Sequence, residues 1–306
     1  MPIRARSIAT RLAAATCVAA AAACADHTSP APEPAAPSAP LLAARDVAYT
    51  TLDVTGALLT SPQGINARGD VTGFYLGIDN VVHGFVWSGG VVTSFDVPGA
   101  AGTQARGIGP SGEIVGSYWR PGEPGVAAHG FRRSAAGDIT TFDNPGHLYT
   151  IAQRVLPDGT ILGCRHDNDT MASMVGVTYA PEGVSEIGAF ASMNNGATPD
   201  GRRVVGLYTN MMTNRGEAYI IDDGVFTSYM VPTSIMTAAW DVNPRGDVAG
   251  VYRNASGFHG FVLSGDAVTT FDFPGATATR VFGINAAGAV VGTYVAAGKT
   301  HGFVAR

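Results

Sequence analysis

A glycine set in the middle of a β-branched and aromatic run returns six times along this chain, at Gly73, Gly116, Gly163, Gly206, Gly250 and Gly292. The steps between copies are 43, 47, 43, 44 and 42 residues. A turn glycine precedes it by four residues at Gly69, Gly112, Gly159, Gly246 and Gly288, and by five at Gly201. A tyrosine follows it by two at Tyr75, Tyr118, Tyr208, Tyr252 and Tyr294, with Arg165 in the third copy. Three markers in phase over six periods define a structural repeat, and any fold for this chain must have that repeat as its unit.

The last copy, Val281 to Phe303, shows what the unit contains. A short apolar run ends in Asn285, a Gly-bearing turn follows, and AVVGTYV reads as a strand because β-branched and aromatic residues favour the pleated backbone. A second turn leads to the strand around His301-Gly302-Phe303. The preceding copy supplies the fourth strand, TTFD, joined to HGFVL by a Gly-containing hairpin and closed by Pro274-Gly275-Ala276. Four short strands per period of about 43 residues is the spacing of propeller blades. A lone blade cannot bury both faces, whereas a ring of blades buries each against its neighbours. The reading is all-β: a six-bladed β-propeller of four-stranded antiparallel blades. The sixth copy stops after its third strand, and YTTLD at Tyr49 to Asp53 stands alone before the first. It is expected to pair with the C-terminal HGFVAR strand and close the ring.

The triplets His83-Gly84-Phe85, His129-Gly130-Phe131, His259-Gly260-Phe261 and His301-Gly302-Phe303, with Gly64-Ile65-Asn66, Gly283-Ile284-Asn285 and the variant Asp241-Val242-Asn243, resemble the HAF-repeat family of bacterial extracellular proteins. Gly replaces the more usual Ala inside the triplet. The resemblance covers roughly residues 46 to 306 and implies a surface-exposed or secreted repeat domain of unknown activity.

The N-terminus reads as an export signal. Arg4, Arg6 and Arg11 precede an apolar stretch from Leu12 to Ala23, too short to span a bilayer. Ala21-Ala22-Ala23-Cys24 is similar to a lipoprotein signal, in which Cys24 becomes the lipidated N-terminus; cleavage after an Ala-x-Ala triplet is the alternative. Residues 24 to 45 are rich in Pro, Ala and Ser, the composition of an extended stalk. The expected organisation is a signal peptide at 1–23, a linker at 24–45 and a propeller at 46–306. With Arg4, Arg6 and Arg11 removed, 16 basic residues face 24 acidic ones, a net charge of −8. An acidic chain without a basic stripe argues against nucleic acid as a partner.

Candidate sites come from the repeat phase. Arg106, Arg154 and Arg280 lie on corresponding inner strands and are expected to ring one mouth of the channel and hold an anion. His166, Asp167 and Asp169 sit in the most polar loop of the chain and complete the candidate ligand set. Asp167-Asn168-Asp169 offers oxygens to Ca²⁺ but lacks the glycine and terminal Glu of a calcium loop, so a solvated hairpin tip is the simpler reading. Cys164 and His166 share one face of a strand; a nucleophile pair and a quiet thiol are the two readings. Seven of the eight methionines lie between Met171 and Met236, and with Cys164 and His166 they suggest soft copper, or core filling. The four triplet histidines belong to different blades, so hydrogen bonding to Asp53, Asp96, Asp143 and Asp272 explains them better than a shared metal. Asn66, Asn243 and Asn285 read as turn caps.

Neither a serine elbow nor a zinc pair appears in the sequence. The sequence therefore calls for no cofactor or metal and assigns no catalytic residue. It points to an exported, lipid-anchored recognition or scaffold propeller at the cell envelope, an outer-membrane lipoprotein or a secreted protein. Its expected partner is an envelope protein or glycan, with the membrane reached through the N-terminal lipid. Blades three and four, which lose the triplet and the TTFD run, are the expected partner site. A hydrolase or lyase acting on a carbohydrate or lactone at the channel mouth is the alternative.

Overall fold

Every inner strand carries one extra residue at the same place. The computed structural model describes residues 41–43, 47–123, 127–167, 173–187 and 191–306, and the unit Ser38–Arg306 is compact. The signal-like segment, Cys24, Asn168, Asp169 and Met171 lie outside the described residues. Six four-stranded antiparallel sheets follow one another along the chain, each with its first strand innermost. The inner strands are Leu59–Ile65, Gly102–Ile108, Tyr149–Val155, Ser192–Ala197, Met236–Val242 and Ala278–Ile284. Each blade's second strand lies against the next blade's inner strand, and the sixth blade returns to the first, so the ring is closed.

The closure is the one expected. Tyr49–Thr51 is the outer strand of the sixth blade, antiparallel to Lys299–Ala305, with Tyr49 opposite Ala305 and Thr51 opposite Phe303. Chain ends far apart in sequence thus share one sheet. Residues 41–43, within the stretch read as linker, form a further strand parallel to the outer strand of blade five, Ala267–Phe271.

The repeat markers have separate physical reasons. The extra residues are Gln63, Arg106, Gln153, Asn195, Trp240 and Phe282, each a β-bulge that bends the strand locally. Each marker glycine lies opposite the residue before a bulge. A Cβ on Gly73 would strike the Ser61 carbonyl oxygen, and one on Gly116, Gly163, Gly206, Gly250 or Gly292 would strike the equivalent carbonyl of its own blade. Only a residue without a side chain fits there. The triplet aromatics Phe85, Phe131, Phe261 and Phe303 are wholly buried, each contributing about 2–3 kcal/mol from apolar burial. Val177 and Tyr219 hold that slot in blades three and four, also fully buried.

The triplet histidines find the partners expected of them. His83 Nδ1 lies 2.8 Å from Asp96, His129 Nδ1 2.8 Å from Asp143, His259 Nδ1 2.9 Å from Asp272 and His301 Nδ1 2.7 Å from Asp53. Each imidazole also lies beside the marker tyrosine of the neighbouring strand, with centroids 5.0–5.2 Å apart. The tyrosine hydroxyls of blades one, five and six meet Ser94, Thr270 and Thr51 on the outer strands. In blade three Arg165 replaces the tyrosine and forms a two-pronged pair with Glu186, at 2.8 and 2.9 Å. In these four blades a polar link thus runs from the second strand to the outer strand, even where the residues change.

Candidate functional site: the axial mouth

The residue after the bulge is glycine in four blades, Gly64, Gly107, Gly196 and Gly283. This is the point of closest approach between blades. A Cβ on Gly196 would sit 2.8 Å from Asp241 Cα, and one on Gly283 would sit 3.1 Å from Gly64 Cα. The two exceptions are Arg154 in blade three and Asp241 in blade five, and they face each other across the axis with Arg154 Nε 3.2 Å from Asp241 Oδ1.

Arg154 fills the axis. Its Nη1 donates to the carbonyls of Arg106 at 2.9 Å and Gln153 at 2.8 Å. Its Nη2 donates to the carbonyls of Gln63 at 3.0 Å and Phe282 at 2.6 Å. All four acceptors are bulge residues, from blades one, two, three and six. The bulges turn carbonyl dipoles toward the axis, and converging carbonyls favour a cation between them. A guanidinium, planar and rich in donors, supplies that charge to several blades at once. Asp241 balances it: Oδ1 accepts from the Val242 amide and Oδ2 from the Ile284 amide. Burial raises the Asp241 carboxyl above its ordinary value, against the pull of Arg154 and the two amides.

Above this pair lies a cavity of about 120 Å³. Its walls include Ile65, Ile108, Val155, Val242 and Ile284, and its rim includes Pro110, Pro157, Pro199 and Pro244. Around the mouth, Asn66 and Asn243 cap their own turns through Oδ1 to two backbone amides each. Asn285 does the same and donates from Nδ2 to the Asn66 carbonyl of blade one, while Asn243 reaches the Asn285 carbonyl. The asparagines are turn caps, as read from the sequence, and also link blades five, six and one. The site as a whole is a shallow apolar funnel on a charge-balanced floor.

The three arginines do not form a ring of equivalent groups. Arg106 is the bulge residue, Arg154 follows the bulge, and Arg280 precedes its bulge by two. Arg280 leaves the axis to lie over the Phe258 ring of blade five, 4.1 Å from its centroid. Arg106 donates to Gln104, and its buried Nε has no partner among the described residues. Burial pushes the Arg106 guanidinium down to about 10, with Cys164 opposing and Arg154 reinforcing the shift. His166 is buried and stacks on Tyr149 with centroids 3.8 Å apart, while Asp167 accepts from His147 at 2.8 Å. His166 and Asp167 thus meet Tyr149 and His147, and Asp169 is outside the described residues. Cys164 is wholly buried in a cluster with Met174 and Met193, and burial pushes its thiol up to about 12.

Asp241 is the one residue of this pair that the repeat phase alone does not single out. The signal was present: Arg154 and Asp241 both stand where other copies have the glycine of the GIN motif, and they carry opposite charges.

No family model matches the chain, and none of the curated proteins matches it. Solved structures do. The β-propeller domain of the Trilobed protease from Pyrococcus furiosus is 10% identical over 82% of this chain and 94% of that one, with a TM-score of 0.50. AofleA from Arthrobotrys oligospora, in a mutant form, is 12% identical over 85% and 87%, with a TM-score of 0.52. Aleuria aurantia lectin is 9% identical over 82% and 92%, with a TM-score of 0.50. At these identities the likeness is one of fold, and the fold it shows is the β-propeller.

Proposed function

We propose that this chain is an exported, lipid-anchored, non-catalytic propeller that presents its surface to a glycan or protein of the bacterial envelope. The observation that carries the reading is the commitment of the axis. Catalysis at a channel mouth needs polar groups free to meet a substrate. Here the Arg154 donors and the Asp241 acceptors go to the ring itself. Recognition then falls to the blade seams and faces. The signal-like N-terminus, Cys24, the Pro-rich stretch and the HAF-like triplets support export and tethering. Among the structures of the same fold, Aleuria aurantia lectin is seen in complex with Fucα1-6GlcNAc, which makes a glycan a reasonable ligand class for the reading.

The test has two arms, both on the full chain in a bacterial host. Wild-type protein is expected in the membrane fraction and labelled by a fatty-acid analogue, and Cys24→Ser is expected to lose both. Purified protein is expected to leave lactones and p-nitrophenyl glycosides intact; turnover lost on changing a mouth residue would overturn the non-catalytic reading.

A further inference from the structure

The seam that closes the ring is built differently from the other five. Its outer strand, Tyr49–Thr51, has three residues, against four or five in every other blade. The short strand leaves a groove of about 790 Å³ between blades six and one. One wall is apolar: Trp87, half-buried, with Val92 and the 65% exposed Val91. The other wall is formed by Thr50, Thr55 and Arg306, whose guanidinium reaches toward Gly69 of blade one. None of these three polar side chains has a hydrogen-bond or ion-pair partner among the described residues. Nearby Asp53 is already engaged, with His301 and the Gly302 amide.

Tryptophan occurs at this point of the repeat only here. The equivalent third-strand positions are Arg133, Tyr179, Ile221, Leu263 and Ala305. The 41–43 strand pairs with blade five, on the outer edge of a different sheet.

We propose that the groove binds a saccharide unit. The proposal rests on the recognition reading above and names its ligand. A pyranose ring has an apolar C–H face and a belt of hydroxyls. The first suits an aromatic and aliphatic wall, and the second suits hydroxyls and a forked guanidinium that have no other partner. A concave site with an apolar lining and a few converging polar groups is the usual form of a small-ligand pocket.

Saturation-transfer NMR on the full chain, with methyl glycosides of glucose, galactose, mannose, fucose and N-acetylglucosamine, tests this. At least one glycoside is expected to receive saturation and to quench tryptophan fluorescence. Thr50→Trp, which fills the groove from an exposed position, and Val91→Lys should each weaken binding roughly tenfold or more, about 1.4 kcal/mol. Both sites are exposed, so melting temperatures should match wild type. Failure of all five glycosides to bind overturns the saccharide assignment. Binding that survives both variants overturns the seam as the site and leaves the recognition reading standing. Turnover of a bound glycoside would instead overturn that reading.

Discussion

Arg154 Nε lies 3.2 Å from Asp241 Oδ1, and this ion pair joins the third blade to the fifth across the axis of the ring. Both side chains are about 10% exposed, so the pair is desolvated and each charge depends on the other. Removing one partner should therefore cost more than removing both. Arg154→Met is expected to lose about 3–5 kcal/mol, and the Arg154→Met/Asp241→Leu double variant to regain part of it. Calorimetric melting of wild type, Arg154→Met, Asp241→Leu and the double variant gives the coupling directly. Additive losses would mean that the carbonyl contacts of Arg154, and not the ion pair, hold the axis.

The pairing of His83 with Asp96 and Asp79 predicts a pH dependence with a definite sign. Burial works against a charged His83, but Asp96 and Asp79 outweigh it and raise its pKa above the ordinary value. A raised pKa means that the folded state holds the proton more tightly. The contribution is fully present below the ordinary value of about 6.5 and is lost as pH rises through the folded value. His83→Gln should destabilise the protein most on the acid side of that window, and the two stability profiles should converge above it. Parallel profiles in urea unfolding would contradict the assignment.

Two glycines should fail for different reasons. Gly196→Ala places a methyl 2.8 Å from Asp241 Cα, where only backbone could move, and should cost about 3 kcal/mol or more. Gly275→Ala meets open space but keeps a φ of +77°, so it should cost about 1–2 kcal/mol. Equal losses in a denaturant series would show that contact between blades is not what fixes glycine at Gly196.

Cys164 should be silent in the native protein. Its side chain is wholly buried and its thiol is pushed up to about 12. Ellman's reagent is expected to react only at the rate of unfolding, and fully in denaturant. Fast native reaction would require an opening at the contact between blades three and four.

Asp53→Ala tests the closure. Asp53 accepts from the Gly302 amide at 3.2 Å and meets His301 at 2.7 Å, from the opposite end of the chain. The loss is expected at about 1.5–3 kcal/mol. Asp96→Ala removes the equivalent pair within a single blade. It should cost less, because it leaves the ring joined. Equal unfolding curves for the two variants would remove the special role of the seam.

The architecture was readable because its causes are local and repeated. Gly73 and its copies answer to a neighbouring carbonyl, Phe85 and its copies to burial, and His83 and its copies to an aspartate thirteen or fourteen residues on in three of the four blades. A local cause repeated six times leaves a period in the sequence. The closing strand was readable for a related reason: one blade lacked its fourth strand and one strand lacked its blade. The axis was harder. Arg106, Arg154 and Arg280 look equivalent by distance from the marker glycine only to within a few residues, and one step along a bulged strand changes what a side chain meets. Arg154 reaches the axis, while Arg280 finds the face of Phe258. Asp241 hid inside a motif variant, because its meaning depends on a partner two blades away.

The closing strand also has a mechanical meaning. The chain before Leu52 is joined to the propeller at two places: the 41–43 strand on the outer edge of blade five, and the outer strand of the sixth blade, which holds on by three residue pairs, the Ala48–Arg306 bonds and the Leu52–Gly302 bond. Tension arriving along the N-terminal segment would strip the three pairs of the 41–43 strand from blade five and then load the blade-six junction. It would peel the strand away and split the circle between blades six and one while the other five sheets remained intact. The ring thus has a designated point of first rupture, at the same seam that holds the Trp87 groove.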